Sequence, residues 1–305
     1  MQTGAVIQVS VTGNTTETVA ATLNQGVWTS LTISPSGGSA KTISGSLAGG
    51  LIQLDGADRV VFDGINIGSR TLILNNAFNG SASTVYLFND ARNVQFVNCT
   101  IRGCNTDVNS GTIRLGTSAG GGGNDHISIT NSLIEASGAN FPVNAIFSAG
   151  TAGQENSQVS ISNCMIADYY STGSASAGIA ALSNNSDWTV SNCLFYQTAS
   201  RNYTTANTHR AIWVNGGNNH LISGNLIGYA TALSTGIYTM TSAVATRFIA
   251  IDISGGTTTP SSVQGNTVTA ISLTSSAEPT QPTASFAESV SAAVMLMWAM
   301  LCQIL

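Results

Sequence analysis

Charge is the scarcest property of this sequence. Only 8% of its 305 residues are charged, Lys41 is the single lysine, and the formal net charge is −5. A negative chain with so few cations has no positive surface for phosphate groups, which argues against nucleic acid as a partner. Ser, Thr, Asn and Gly supply the polarity instead, and these residues suit turns and stacked strands better than the surface of a helical protein.

Other familiar signals are also missing. The first residues after Met1 form neither the basic nor the apolar part of a signal peptide. The apolar tail 292–305 has fourteen residues, whereas a membrane-spanning helix needs about 20, so no membrane span is predicted. The five cysteines follow neither a zinc-binding spacing nor the framework of a disulfide-rich secreted domain, so we expect free thiols.

An internal repeat organises most of the chain. Seven segments align without gaps, and each consists of two short alternating strands around one turn residue. The segments are 60–67, 94–101, 127–134, 159–166, 188–195, 220–227 and 261–268. Their last residues are 34, 33, 32, 29, 32 and 41 residues apart, a period that indicates the coils of a solenoid.

The alternation within each segment assigns one inward side chain to each strand. The first predicted inward column is Phe62, Phe96, Ile129, Ile161, Val190, Ile222 and Val263. The second is Ile67, Ile101, Ile134, Ile166, Phe195, Ile227 and Val268. Both columns are apolar throughout, as the interior of a solenoid requires.

The turn between the two strands contains only Asn or Gly, the residues that adopt a left-handed backbone most easily. We expect its asparagines to form a structural ladder of side-chain hydrogen bonds from coil to coil. The ladder residues are Asn98, Asn131, Asn163 and Asn192. On this interpretation, Asn163→Ala destabilises the stack by roughly 1–3 kcal/mol.

A third strand precedes each segment, and an inserted strand of its own is predicted at 248–253. The third strands are predicted at 51–54, 85–88, 112–115, 145–148, 178–182, 211–214 and 236–239. Three strands per coil predict an all-β chain, a right-handed parallel β-helix of three sheets and about seven to nine coils. An antiparallel sandwich also has many short strands, but it does not repeat one turn residue at this spacing.

The composition changes near residue 275. We expect the parallel β-helix to cover residues 1–275 and a Pro/Thr linker to cover 276–284. Residues 285–305 are interpreted either as the truncated start of a second domain or as a segment that caps the last coil. The spacing of their apolar residues is similar to the first strands of a fibronectin type III domain, so the chain is expected to be part of a longer multidomain protein.

The strand–Asn–strand repeat resembles the pectin-lyase-like β-helix superfamily. The phrases Leu54-Asp55-Gly56-Ala57-Asp58-Arg59-Val60-Val61-Phe62-Asp63-Gly64 and Ser69-Arg70-Thr71-Leu72-Ile73-Leu74-Asn75-Asn76 are similar to β-helix regions of large secreted surface proteins of Bacteroidetes-type bacteria. The resemblance covers about residues 40–275. It implies a secreted or cell-surface location, and it says little about activity because one fold has many functions.

Candidate catalytic residues are few. Asn105-Thr106-Asp107 resembles part of a polygalacturonase motif, but Val108 follows where that family has glycine, and the family's other acids are absent. His209 and Arg210 are the remaining catalytic candidates, since general acid–base chemistry needs a titratable group. Asp125 ends a glycine run that is similar to one calcium-binding nonapeptide, although a single copy supplies half a site, so Ca²⁺ is the one cofactor considered.

Aromatic residues gather in the loops near His209, together with one arginine. They are Tyr169, Tyr170, Tyr196, Arg201 and Tyr203. Aromatic rings beside polar loops suit the stacking of sugars, so these residues are the candidate ligand-binding surface for a polysaccharide or a cell-surface glycan. Ordinary anchoring of the loops explains the same pattern.

Two functions remain open at this stage. The first is a non-catalytic extracellular module, a rigid stalk or adhesive surface that binds glycans. The second is a polysaccharide lyase or glycoside hydrolase acting on an acidic polysaccharide. The lack of a complete acid–base set favours the first.

Overall fold

The computed structural model describes residues 4–65, 67–256 and 258–276, together with the backbone of 286–290. In these residues the chain forms short β-strands joined by turns and loops, and nearly all pairing is parallel. They include no helix long and apolar enough to cross a membrane. The parallel β-helix prediction is therefore confirmed, with three sheets of nine strands each.

Each coil contributes one strand to each sheet, in the order first, second, third. The first sheet contains Val6–Val11, Ser30–Pro35, Asp58–Asp63, Arg92–Val97, Ser128–Thr130, Ser160–Ser162, Thr189–Ser191, Leu221–Ser223 and Ser262–Gln264. The second contains Thr15–Glu17, Lys41–Gly45, Leu72–Asn76, Cys99–Gly103, Leu133–Ala136, Met165–Ala167, Leu194–Tyr196, Leu226–Gly228 and Thr267–Thr269. The third contains Ala21–Asn24, Gly49–Asp55, Ala82–Phe88, Ile113–Leu115, Asn144–Ala149, Ser176–Ser183, Thr208–Asn215, Arg247–Ser254 and Phe286–Val290.

The first inward column is confirmed along its whole length. Phe62 pairs with Phe96, Phe96 with Ile129, and the register continues without a shift through Val263. All of these side chains except Val263 are buried, and the rings of Phe62 and Phe96 stack with centroids 4.9 Å apart. Stacking of like residues on like residues gives the solenoid its continuous apolar core.

The second inward column is correct except at its first residue. Ile67 is 55% exposed and lies in a loop, and Leu74 takes its place by pairing with Ile101. The Thr71 amide donates to the Gly64 carbonyl at 2.8 Å and closes this loop. The gap-free alignment failed here because seven inserted residues, 65–71, carry an apolar residue at the expected position by coincidence.

The turn asparagines have left-handed backbones, as predicted, with φ of 52–55° at Asn98, Asn131, Asn163 and Asn192. Their side chains do not form the predicted ladder. Asn131, Asn163 and Asn192 are exposed, and their backbone amides bond from coil to coil. The side chain of Asn98 bonds to the preceding coil, where its Nδ2 donates to Asp63 Oδ1 at 3.4 Å, and not to another asparagine of the column. A left-handed residue points its side chain out of the coil, so this column meets solvent.

The ladder of side-chain hydrogen bonds is one residue further on, in a column that is buried through Asn225 and partly buried at Asn266. Its members are Cys99, Ser132, Cys164, Cys193, Asn225 and Asn266. Each donates to a carbonyl of the preceding coil, and the described cysteines are free thiols, as expected. Burial raises the pKa of Cys99 to about 12, so its thiol remains a donor. A second ladder joins buried Asn124 to Asn156 between the third and first sheets.

Near residue 240 the predicted third strand and the predicted inserted strand have exchanged roles in the structure. The third-sheet strand of that coil is Arg247–Ser254, in register with Thr208–Asn215, whereas the predicted third strand lies in Tyr238–Ser242. That strand pairs with Arg201–Tyr203 and Ile271–Thr274 in an additional small sheet. A further two-stranded sheet pairs Asn156–Ser157 with Asn185–Ser186.

The predicted linker and second domain lie largely outside the described residues. The part of residues 285–305 whose backbone the structure describes, Phe286–Val290, adds a parallel strand beside Arg247–Ser254. The division at residues 275 and 285 stays a prediction.

Candidate functional site

The outward face of the third sheet carries a straight row of chemically distinctive side chains. In successive coils the row consists of Tyr86, Arg114, Phe147, Ala180, Trp213 and Asp252, each in register with the next. Most members lie between two inward apolar residues, as Arg114 does between Ile113 and Leu115, so alternation directs them outward. We call this set the outer row. Tyr86 and Trp213 are four coil steps, or about 19 Å, apart along the solenoid axis.

Stacked rings and a cation form the first end of the outer row. Tyr86 stacks on Phe88 of the same strand, with ring centroids 4.5 Å apart. The Arg114 guanidinium lies over the Tyr86 ring at 4.8 Å from its centroid. Gly116 makes room for this arrangement, since a Cβ there would come within 2.7 Å of the Tyr86 hydroxyl.

Arg114 has no acceptor in the described part of the chain. No carboxylate there forms an ion pair with it, and its Nε atom is shielded from solvent with no hydrogen-bond partner. An unpaired cationic N–H group held against apolar rings costs roughly 1–3 kcal/mol. A buried polar group without a partner is rare in folded proteins and calls for an explanation.

The other end of the outer row is electrostatically satisfied. The Arg210 guanidinium lies over the Trp213 ring at 4.1 Å, and its Nε donates to Asp252 Oδ2 at 2.6 Å. Between the two ends, Phe147 and Ala180 form a small apolar cluster against which Trp213 packs. The row therefore has a free cation at one end, an apolar centre, and a neutral ion pair at the other end.

The outer row does not contain the paired carboxylates of a glycoside hydrolase. On third-sheet strands whose side chains the structure describes, the acids are Asp55 and Asp252. They lie six coil steps apart, about 29 Å, whereas the catalytic pair of a hydrolase is separated by about 5–10 Å. Asp252 is also neutralised by Arg210.

The predicted sugar-stacking residues do come together, but inside the protein. Tyr169, Tyr196, Arg201 and Tyr203 are at most 5% exposed, and only Tyr170 is partly accessible. Arg201 pairs with Asp168 and lies over the ring of Tyr170. A buried ring face cannot stack on a sugar, so these side chains anchor the loops and do not form a binding surface.

His209 lies at the centre of this buried cluster. Its Nδ1 shares a 2.7 Å hydrogen bond with Ser176 Oγ, and its Nε2 bonds to the Tyr238 hydroxyl. Complete burial, with smaller contributions from Arg201 and Arg210, lowers the pKa of His209 to about 3. An imidazole with both nitrogens engaged and no access to solvent cannot act as a general base on a substrate. Arg210, the other candidate, is held by Asp252 on the opposite face of the sheet.

The two candidate aspartates have local structural partners. Asp107 accepts from Ser81 Oγ at 2.8 Å and from the Asn109 amide at 2.9 Å, with its Oδ2 and Oδ1 atoms respectively. Such contacts are typical of an Asx turn. A glycoside hydrolase needs a second acid beside the first, and neither of these partners of Asp107 is an acid.

The calcium candidate, Asp125, accepts from the amide and hydroxyl of Ser157. Arg92 extends toward the same glycine loop and pairs with Asp90 at 2.5 Å. A cationic side chain thus lies where a calcium site would need negative charge. The described residues include no group of three His, Cys, Asp or Glu side chains suited to a metal.

Sequence reasoning missed the outer row, although its signal was present. The third strands had been located by their inward residues, and the residue between them was not compared from coil to coil. In four of these strands that residue is Tyr86, Arg114, Phe147 or Trp213. Aligning the outward positions as carefully as the inward ones finds the row.

No protein-family model and no curated protein matches the sequence. Among solved structures, the chain is similar to an alginate lyase from Paenibacillus sp. str. FPU-7, with 13% identity and a TM-score of 0.47 over 88% of this chain and 93% of that chain. It is also similar to the surface protein and adhesin PfbA of Streptococcus pneumoniae, with 13% identity and a TM-score of 0.42 over 88% and 90% of the two chains. An endo-xylogalacturonan hydrolase from Aspergillus tubingensis has 12% identity and a TM-score of 0.27 over 93% and 92%. All three likenesses have 13% identity or less and TM-scores below 0.5, so no family and no function of this chain follows from them.

Proposed function

We propose that this chain is a non-catalytic β-helix module of an extracellular protein, and that it binds acidic polysaccharide along the outer row. The observation that carries the proposal is Arg114, an arginine with neither an ion pair nor an acceptor among the described residues, set in a straight row of aromatic side chains. A carboxylate on a sugar would supply the missing acceptor through a charge-assisted hydrogen bond.

The shape of the outer row supports a polymeric ligand. Its members follow the solenoid axis at one residue per coil, so they form a straight row, as an extended saccharide chain requires. Phe147 and Ala180 at its centre are buried, so a ligand would contact the accessible side chains at the two ends of the row. Partly exposed rings at Phe88 and Trp213 suit the apolar faces of sugars, and the polar groups of Gln53 and Arg114 lie in the same column.

The charge pattern supports binding without cleavage. The acids of the third-sheet face are too far apart for hydrolysis, and His209, the histidine on a third-sheet strand, is buried with both nitrogens engaged. A lyase reaction needs an accessible base beside the sugar ring. The rigid stack of coils is suited to a stalk or adhesive module of a longer secreted or cell-surface chain.

Calorimetric titration at low ionic strength tests the proposal. Oligogalacturonate and alginate oligomers are expected to bind the wild-type chain, whereas a neutral dextran is not. Arg114→Gln is expected to weaken binding of the acidic oligomers about tenfold, since one charge-assisted contact is lost. Arg247→Gln is the matched control, because Arg247 is exposed and belongs to neither the outer row nor an ion pair.

Two results would contradict the proposal. Equal affinity of Arg114→Gln and the wild type for the acidic oligomers would show that the outer row is not the binding site. Release of shorter or unsaturated products from either oligomer would show that the chain is an enzyme and not a binding module.

A further inference from the structure

A recess lies at the corner between the first and second sheets. Residues 67–71 belong to the loop that replaces a one-residue turn in this coil, and Arg70 reaches from them to Asn131. They lie beside the turn asparagines of following coils at an open cleft of about 260 Å³, lined by Gly68, Ser69, Arg70, Asn131 and Asn163. This loop and its cleft occur where the repeat is interrupted, so the repeat itself does not explain them.

Arg70 is fixed in the cleft by a single anchor. Its Nε donates to the main-chain carbonyl of Asn131 at 2.5 Å, two coils away from the loop. The two terminal nitrogens of the guanidinium make no ion pair or hydrogen bond with the described residues. The anchor therefore orients the guanidinium and leaves its outer edge available, the geometry in which arginine binds an oxyanion with two parallel hydrogen bonds.

The rest of the lining supplies further unused donors. The side chains of Asn131, Asn163 and Ser69 are exposed and have no hydrogen-bond partner among the described residues. These amide and hydroxyl groups project beside Arg70 because the left-handed turn directs each asparagine side chain outward.

The acids near this corner do not neutralise Arg70. Asp63, at the base of the loop, accepts from the Ile65 amide at 2.9 Å. Glu135, on a neighbouring strand of the second sheet, is paired with Arg102 at 2.7 Å. No carboxylate lines the cleft. The recess thus combines one free cation with several neutral donors.

We infer that this cleft is a binding site for a sugar-borne oxyanion, a sulfate ester or a carboxylate, bound by the Arg70 guanidinium and the amides of Asn131 and Asn163. The volume is below the 300–1,000 Å³ typical of sites for drug-sized ligands, and it suits one charged substituent with part of its sugar ring. The corner between the first and second sheets lies across the prism from the third sheet. The site is therefore separate from the outer row and does not depend on the function proposed there.

Titration of the Arg114→Gln chain isolates this site from the outer row. The probes are dextran sulfate oligomers, oligogalacturonate and neutral dextran, compared at one low ionic strength. Binding of the first or the second identifies the anion as a sulfate ester or a carboxylate, and neutral dextran is expected not to bind. Adding Arg70→Gln is expected to weaken binding about tenfold, and adding Asn163→Gly a few-fold, while adding Arg247→Gln leaves it unchanged.

Asn163→Gly keeps the test valid if Arg70→Gln releases the loop, because the Asn163 side chain has no hydrogen-bond partner among the described residues and glycine accepts the left-handed turn. Absence of binding by both charged probes would overturn the inference. So would an equal loss with Arg247→Gln, which would mean that the affinity reflects general charge.

Discussion

At the scale of single residues, the turn asparagines and the buried ladder residues have different tasks. Asn163 contributes a left-handed backbone, with φ of 53°, and an exposed amide. Asn225, one position later in its coil, is 1% exposed, and both polar atoms of its side chain form hydrogen bonds. Its Oδ1 accepts from the Cys193 amide, and its Nδ2 donates to Val190 O and to Asn266 Oδ1, all at 2.9 Å.

We therefore expect Asn225→Ala to lower the free energy of unfolding by roughly 2–4 kcal/mol, because buried donors and acceptors lose their partners. Asn163→Gly removes a side chain that bonds to nothing and keeps a residue that accepts the left-handed turn, so a change below about 0.5 kcal/mol is expected. Urea unfolding of the two variants measures this difference. Equal losses would mean that the exposed column is the ladder after all.

The buried histidine predicts how stability depends on pH. The pKa of His209 is about 3 in the folded chain, whereas an unfolded histidine has a pKa of about 6.5. Between these pKa values the unfolded state binds a proton that the folded state does not bind. The contribution of His209 to the free energy of unfolding is therefore fully present above pH 6.5 and is lost as the pH drops toward 3. Burial also lowers the pKa of His220, which contributes in the same direction.

Between pH 6 and pH 5, His209 is expected to contribute a loss of about 1.2 kcal/mol in the free energy of unfolding. His209→Gln retains a polar group at the site but does not titrate, so its slope over this interval is expected to be shallower by that amount. Urea unfolding at the two pH values provides the comparison. A variant slope equal to that of the wild type would mean that His209 does not set the acid response.

At the scale of strands, the accuracy of sequence analysis followed the physical strength of each pattern. Inward columns were predictable because apolar side chains must stack on one another in every coil, and Phe62 through Val263 kept one register. Ile67 was misplaced because a loop residue matched the pattern while Leu74 lay seven residues further on. Periodicity identifies a strand but cannot detect an insertion whose own apolar residue falls in phase.

The candidate sites were less predictable than the strands. Loops at one coil corner predict a surface at Tyr169, Arg201 and Tyr203, yet these side chains are buried, and Arg201 and Tyr203 belong to a strand of the additional small sheet. The outer row consists of residues about thirty positions apart that only the stacking register aligns. The Arg70 cleft depends on a loop that reaches two coils forward, and no local pattern encodes that reach.

At the scale of the whole molecule, the stability of each coil in a solenoid depends on the position of that coil in the stack. Each coil packs only on its neighbours, so a coil with neighbours on both sides is held more firmly than one with a neighbour on one side. The first coil illustrates the contrast: Val6 is 68% exposed and Val19 is 71% exposed, and the inward residues Ile7 and Val11 are only partly buried. In the middle of the stack, by comparison, inward side chains are fully buried.

Amide hydrogen exchange is expected to follow this gradient. Amides of Ile129 and Ile161, in the middle of the first sheet, should exchange at least about tenfold more slowly than those of Ile7 and Val9 in the first coil, because opening a terminal coil disrupts one interface and opening a central coil disrupts two. Mass spectrometry of peptides from each coil resolves the difference. The strand Ser262–Gln264 is an internal comparison, since it is paired on one side in its sheet and should also exchange early. Uniform protection from the first coil to the last would mean that the stack opens as one cooperative unit, and the neighbour-by-neighbour account of its stability would be wrong.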